Sequence, residues 1–498
     1  MIENNMNIYD AFSKIVIENK EDTALVHNGN SISYKELDES CSIYSQLLLS
    51  NGVKSRDCVA IYLENSPEFL YAYLGLLKIG ATAVPINPVL TETELQYVLQ
   101  NCNAKALFIG EKQKEKLENL KDTFSPFPRL LIVENIKILN FEKETLLLNN
   151  TSDGEANDIA VIIYTSGTTG KPKGAMLTHE NLYSNAMSFT QVSQTTKQDR
   201  IVAVLPMFHL FCLTVSVNLS LLNGAKLLIQ SPFNPTELVQ LIRDEKVTLL
   251  AAVPTIYNYL YHLEHVTSKD FSTVRTFISG GSSMSVDLLK NIQAKYGVTI
   301  LEGYGLTETA PVISFNPYKG TCKPGSVGLD IPNVKTKIVD EVGNELAALE
   351  VGEVIVSGPN VMKGYLNNKI ETDKAIKNGW FYTGDIGRKD EDGYLFLLDR
   401  KKDVILMNGY SVYPREIEEV LYAHPNIIEA AVIGIKNERT GEAVKAFIVL
   451  NDSNVTEEEI FTYCKKHLAK YKQPSEIQFL EEIPKNSTGK IMKRLLEK

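Results

Sequence analysis

At 498 residues the chain is longer than one compact core organises, so at least two domains are expected. Apolar residues make up 44% and charged residues 22%, the balance of an ordinary globular protein, which excludes wholesale disorder and a fibrous repeat. The net charge of −10 tells against a nucleic-acid partner, which needs Lys and Arg clustered on a basic domain; any nucleotide bound is expected to be small.

In chain order, the opening MIENNMNIYDAF has neither the basic n-region nor the apolar h-region of a secretory signal, and no run of about 18 apolar residues follows, so no transmembrane segment is expected. Residues 58–63, 67–79 and 83–86 read as strand, helix and strand, part of a βα alternation that predicts a mixed or parallel sheet over the first 150 residues. The six cysteines are scattered, without a CxxC pair or metal-like spacing, and suit a reduced, cytoplasmic setting.

After an apolar strand over 159–163 comes Tyr164-Thr165-Ser166-Gly167-Thr168-Thr169-Gly170-Lys171-Pro172-Lys173-Gly174. Its three glycines permit close backbone approach, and its four Ser and Thr hydroxyls and two lysines supply donors and positive charge, as a polyphosphate cradle requires. A Walker A loop would need Gly at 165 and Ser or Thr at 172, where this chain has Thr165 and Pro172.

Residues 201–229 form the longest apolar neighbourhood, broken by Pro206, His209, Asn218, Asn223 and Gly224, and read as core lining a pocket, with a peripheral membrane patch as the alternative. Strands are predicted over 246–253 and 274–278 and helices over 255–263 and 286–296. Ser279-Gly280-Gly281-Ser282-Ser283 reads equally as a strand-to-helix turn or as a base-flanking loop. Glu302-Gly303-Tyr304-Gly305-Leu306-Thr307-Glu308-Thr309 follows a strand over 298–301; its glycines let an aromatic ring lie against a flat base, and the Thr and Glu beyond can reach phosphate and its Mg²⁺.

From about residue 323 Gly-punctuated β-branched segments predict antiparallel strands. Trp380-Phe381-Tyr382-Thr383-Gly384-Asp385 ends in a carboxylate able to accept two ribose hydroxyls, though an Asp in a turn is ordinarily a cap. Beyond the charged cluster Asp399-Arg400-Lys401-Lys402-Asp403, a helix over 414–422, strands over 427–435 and 444–450 and a helix over 455–468 predict a small α+β domain. It closes on Pro484-Lys485-Asn486-Ser487-Thr488-Gly489-Lys490, where an isolated terminal lysine would by itself be read as solvated.

Together these motifs resemble the adenylate-forming superfamily of acyl- and aryl-CoA synthetases, firefly luciferases and peptide-synthetase adenylation domains, matching in order from about residue 34 to 490. The resemblance implies an α/β fold with a β-subdomain: a large N-terminal domain, residues 1–398, of mixed sheets and a distorted β-barrel, a hinge at 399–403, and a small mobile α+β domain at 404–498. It assigns Thr165, Ser166, Gly167, Thr168, Thr169, Gly170 and Lys171 to the phosphates of ATP and Gly281, Ser282 and Tyr304 to the adenine. Asp385 and Arg400 fall to the ribose, Thr307 to phosphate and Glu308 to magnesium. Lys490 would bridge carboxylate and α-phosphate, Lys402 would be the pivot, and Gly409 would border the entry of the CoA thiol. His209, in Leu205-Pro206-Met207-Phe208-His209-Leu210-Phe211, would shield or guide the acyl carboxylate; alone it reads equally as a core histidine.

No acidic residue occurs between 201 and 235, which tells against an amino-acid substrate, whose ammonium would lie unpaired in an apolar pocket. The aliphatic set Val215, Val217, Leu219, Leu221, Leu222, Val253 and Pro254 favours a medium- or long-chain fatty acid. The expected reaction is ATP-dependent: acyl adenylate and pyrophosphate form first, and CoA then displaces AMP. An aromatic acid, a carrier-protein thiol as acceptor, and a nucleotide-binding sensor without catalysis are the competing readings.

Overall fold

The computed structural model describes residues 6–121, 123–136, 154–165, 172–407, 410–437, 439–451, 455–486 and 489–496. Six parallel strands, in spatial order Thr23–His27, Lys226–Ile229, Arg200–Ala203, Leu249–Ala252, Thr276–Ser279 and Ile300–Gly305, form the centre of a nine-stranded sheet with antiparallel edges. A second sheet aligns Ile159–Thr165, Thr82–Pro85, Cys58–Tyr62, Ala106–Ile109 and Arg129–Ile132 in parallel, and adds Lys173–Thr178 and Gly364–Tyr365 antiparallel at one edge. Strands such as Leu249–Ala252 and Ala106–Ile109 are buried at every position, as both-sided helix cover demands, so they show apolar runs and no alternation. Val59 and Val161 of one sheet and Ile201 and Leu250 of the other belong to a single apolar core.

Helix ends lie where the side chains specify them. Ser66 caps Pro67–Lys78 and Ser285 caps Val286–Tyr296, each accepting from a first-turn N–H, and Gly297, at φ +70°, closes the second in the left-handed region. The predicted strand over 298–301 is shifted: it spans Ile300–Gly305, because Gly303 and Tyr304 pair antiparallel with Phe315 and Ser314 and carry the strand through the motif expected to follow it.

The β-rich part is a five-stranded antiparallel half-barrel of Lys335–Val339, Gly352–Ser357, Ile376–Lys377, Trp380–Lys389 and Leu395–Arg400. Asp385 is no turn residue: it lies within Trp380–Lys389, whose strict alternation of burial turns Phe381, Thr383 and Asp385 to the inner face. Beyond Arg400, Ile405–Met407, Tyr410–Val412, Ile427–Asn437, Gly441–Leu450 and Glu476–Phe479 make a fourth sheet. Its apolar side chains, from Ile405 to Leu496, pack into two clusters of their own and share none with the main core.

The apolar stretch after Arg200–Ala203 becomes a buried helical segment whose middle, Leu213–Asn218, is π-helical. This segment divides the expected aliphatic wall. Val215, with Val253 and Pro254, reaches the cavity described below, whereas Val217, Leu219, Leu221 and Leu222 turn into the core.

Candidate active site

A cavity of about 1890 Å³ opens where the strands Leu249–Ala252, Thr276–Ser279 and Ile300–Gly305 end, between the body and the C-terminal lobe. Crevices at the carboxyl ends of parallel strands are the usual binding position in open α/β sheets, because the chain leaves each strand there as a loop free to carry chemistry. Eleven predicted site residues line it: Thr165, His209, Gly281, Ser282, Tyr304, Thr307, Glu308, Asp385, Arg400, Lys402 and Lys490. Ser166, Gly167, Thr168, Thr169, Gly170, Lys171 and Gly409 lie outside the described residues. The strands flanking the phosphate loop are described, and they pair Thr165 with Lys173.

On the wall predicted for the nucleoside, Asp385 and Arg400 are cross-strand partners, with Arg400 Nε 2.7 Å from Asp385 Oδ1. The Tyr304 hydroxyl donates to Asp385 Oδ2. Burial pushes the Asp385 carboxyl up, against Arg400, the Tyr304 hydroxyl and Lys490, which all favour the anion. Gly281, at φ +81°, lets the chain turn at the strand end, and a Cβ there would meet Val253 Cγ1 at 3.3 Å, so a side chain would intrude on both backbone and pocket.

Thr307 and Glu308 start a short 3₁₀ turn directly after Ile300–Gly305. Glu308 Oε1 accepts from the Tyr365 hydroxyl at 2.8 Å, and Oε2 takes no hydrogen bond from any described residue. Among the described residues no group of three or more His, Cys, Asp or Glu is arranged as a metal cage. One carboxylate oxygen left open at the cavity suits Mg²⁺, which keeps most of its shell for phosphate oxygens and water.

Lys490 reaches the cavity from the C-terminal lobe. Its turn is closed by Asn486, whose N–H donates to the Lys490 carbonyl at 2.9 Å and whose Oδ1 accepts the Lys490 N–H at 2.9 Å. The turn docks on the body where the Thr255 hydroxyl donates to the Gly489 carbonyl at 3.2 Å; Gly489, at φ +79°, would bring any Cβ to 3.3 Å from Val253 Cγ2. Surrounding protein, then the positive charge of Arg400, lower the Lys490 ammonium, and Asp385 opposes them.

His209 caps the helical segment that begins at Leu210, its Nδ1 accepting the Phe211 N–H at 3.3 Å. An accepting Nδ1 leaves the proton on Nε2. Burial, then the nearby charge of Lys490, push the ring down to about 4, so His209 is a neutral donor at physiological pH.

Residues not singled out in the sequence, among them Glu371, Tyr365, Arg415 and Glu419, complete the site, the first two around Lys173 of the segment expected to cradle phosphate. Lys173 Nζ stands 2.8 Å from Glu371 Oε2 and 4.8 Å over the Tyr365 ring. Where lobe meets body, Glu302, only 5% exposed, is pushed up to about 7 by burial and by Glu419, with Arg415 opposing. Arg415 donates to the Leu397 carbonyl at 2.9 Å, and Glu419 accepts the Val286 N–H at 3.4 Å. Lys402 occupies the exposed turn between Leu395–Arg400 and Ile405–Met407.

Phe208, Phe211, Val215 and Val253 form the apolar end of the cavity. A second, largely apolar cavity of about 420 Å³ shares Leu205, Phe208, Val253 and Gly489 with the first, and carries Val89 and Tyr259 on its rim.

The model of the AMP-binding enzymes matches residues 12–366, and that of the AMP-binding enzyme C-terminal domain matches 416–490. A long-chain-fatty-acid–CoA ligase of Bacillus subtilis (strain 168) is 35% identical over 509 residues, covering 95% of this chain and 91% of the relative. The crystal structure of ATP-bound MatB from Rhodopseudomonas palustris superposes with a TM-score of 0.91 at 31% identity, covering 99% of this chain and 98% of that one. The o-succinylbenzoate CoA synthetase MenE of Bacillus subtilis, in complex with its acyl-adenylate intermediate OSB-AMP, superposes with a TM-score of 0.88 at 29% identity, with the same coverage.

Proposed function

The chain belongs to the AMP-binding enzymes, and from that membership we propose that it ligates a medium- or long-chain fatty acid to CoA at the expense of ATP, through an acyl adenylate. The observation that carries this reading is the meeting of Lys490 from the C-terminal lobe with Tyr304 and Asp385 of the body, and with Arg400 where the body ends, in one cavity. In the first half-reaction a substrate carboxylate oxygen attacks the α-phosphorus of ATP, forming the acyl–phosphate bond and breaking the bond to pyrophosphate. Two anions converge there, and a lysine ammonium held at the meeting point offsets their repulsion. Asp385 and Arg400 hold the ribose, Tyr304, Gly281 and Ser282 the adenine, and Thr307, with Thr165 and residues 166–171, the phosphates. Glu308 is the carboxylate to hold Mg²⁺, which supplies charge neutralisation of the polyphosphate.

In the second half-reaction the thiolate sulfur of CoA attacks the acyl carbonyl of the adenylate and AMP leaves with the C–O electron pair. The smaller apolar cavity, meeting the first at Phe208 and Val253, supports a thiol path there, and the neutral His209 that lines the first cavity would guide the acyl group. We assign residues 1–398 to the fixed body, 399–403 to the hinge with Lys402 as pivot, and 404–498 to the moving domain that presents Gly409 to the thiol. The lobe's separate apolar clusters support a division that lets it turn without opening the main core. The six cysteines are all free, which suits a cytoplasmic setting. No described helix is long and apolar enough to cross a membrane, and contact through a peripheral apolar surface is compatible with a fatty substrate.

The test is incubation with Mg·ATP, CoA and acids from hexanoate to palmitate, plus benzoate and coumarate, with acyl-CoA read by mass spectrometry and Lys490→Ala as control. Thioester from the aliphatic acids, lost in the variant, is the expected outcome. The wall made by Phe208 and Phe211 favours a second reading, an aromatic acid, which thioester from benzoate or coumarate alone would establish. Pyrophosphate release without a CoA thioester would instead point to a carrier-protein acceptor.

A further inference from the structure

We propose that Tyr365 is a positioning residue that holds the Glu308 carboxylate in its metal-facing orientation and ties it to the strand leaving the phosphate loop. The proposal rests on the reading of Glu308 as the magnesium carboxylate. The last torsion of a glutamate is broad, so a lone carboxylate on a short turn has no preferred plane unless a neighbour sets it. Here the Tyr365 hydroxyl donates to Oε1 at 2.8 Å, which leaves Oε2 to the cavity. Tyr365 is only 7% exposed, so this bond is shielded from competing water.

The backbone around Tyr365 ties the two sides together. The Met362 N–H donates to the Glu308 carbonyl at 2.9 Å, while the Lys363 and Leu366 N–H groups donate to Met176 and Gly174 at 2.9 and 2.8 Å, on the strand Lys173–Thr178. Lys173, first residue of that strand, lies over the Tyr365 ring at 4.8 Å and is held by Glu371. The close approach depends on Gly364, at φ +138°, where a Cβ would fall 2.7 Å from Thr372 Cγ2. Partners that orient a metal ligand commonly contribute about 10- to 100-fold in metal affinity.

The experiment uses the full chain and the variants Tyr365→Phe, Glu308→Gln and the double variant. ATP affinity is measured by calorimetry with Mg²⁺ and with EDTA, alongside the Mg²⁺ concentration that half-saturates acid-dependent ATP–pyrophosphate exchange. Tyr365→Phe is expected to raise that concentration about 10-fold, to weaken ATP binding only when Mg²⁺ is present, and to add little in the Glu308→Gln background. Equal weakening with Mg²⁺ and EDTA, an unchanged Mg²⁺ requirement, or full additivity with Glu308→Gln would overturn the role of Tyr365 while leaving Glu308 as assigned. If Tyr365→Phe does not fold, the same three readouts on Tyr365→Met, which fills the same space and also lacks the donor, decide by the same criteria. A Glu308→Gln variant with an undiminished Mg²⁺ requirement would overturn the metal reading of Glu308 and this proposal with it.

Discussion

At the nucleotide end of the cavity the polar side chains hold one another: Tyr304 and Arg400 take the two oxygens of Asp385, Tyr365 takes one of Glu308, and Lys173 joins Glu371 to the Tyr365 ring. At the acyl end Phe208, Phe211, Val215 and Val253 offer only surface. A directional network tolerates few substitutions, because removing one partner strands the others in a buried place. A dispersive wall is specified only by volume, and exchanges of volume are tolerated as far as packing allows. The difference explains how one chemistry is kept while the acid served by the site changes.

The sharpest way to break the contrast is at Lys490, to which the proposed mechanism gives the task of offsetting the charge that gathers as the carboxylate attacks. Lys490→Ala is expected to lower ATP–pyrophosphate exchange by about 10²–10³-fold, as losing one preorganised donor does elsewhere, while thioester formation from preformed acyl adenylate falls far less. Next comes Asp385→Ala, which leaves Arg400 and the Tyr304 hydroxyl without their partner. It is expected to raise the KM for ATP steeply and to cost about 2 kcal/mol in a denaturant titration, below the full price of a buried pair because Arg400 is partly exposed.

The acyl end should answer differently. Val215→Phe is expected to shift the preferred acid towards shorter chains, by about 0.8 kcal/mol in kcat/KM for each methylene excluded, with the KM for ATP unmoved. A comparable loss across all chain lengths would mean that this wall, too, is part of the directional network.

The smallest effect lies where lobe meets body. Glu302 has a folded pKa, about 7, above its unfolded value, so the folded state binds the extra proton. Stability from this group is therefore fully present below the unfolded value, near 4.5, and is lost as pH rises through about 7. The melting temperature is expected to fall by about 2–4 °C over that window, and Glu302→Gln should flatten the slope. A slope kept by the variant would assign it to Glu419 or Asp399, which burial also raises.

Helices capped by Ser66 and Ser285 and opened by Pro67 and Pro414 were legible because each end is specified by a side chain within three residues of it. The alternation that turns Asp385 inward was equally present in the sequence, yet taken alone the residue was read as a cap or turn residue, because Asp is common in turns. The other end of the scale is Tyr365, which meets Glu308 across 57 positions. No local pattern encodes such a contact; it follows from an antiparallel strand of two residues that only tertiary pairing defines. The lobe–body cluster of Glu302, Arg415 and Glu419 was hidden for the same reason. Of the aliphatic wall, composition was legible and facing was not, because a π-helical segment interrupts the periodicity from which facing would be read.

That π-helical segment also bears on how such a pocket changes over generations. A π turn amounts to one residue more than an α-helix needs over the same span. Deleting one residue between Leu213 and Asn218 would therefore let the helix regularise while Leu219 and Leu222 keep their places in the core, and only the side chains of the wide turn, Val215 among them, would be re-aimed at the cavity wall. A loss of three nucleotides, leaving every motif intact, would thus reshape that wall in one step without disturbing the core behind it.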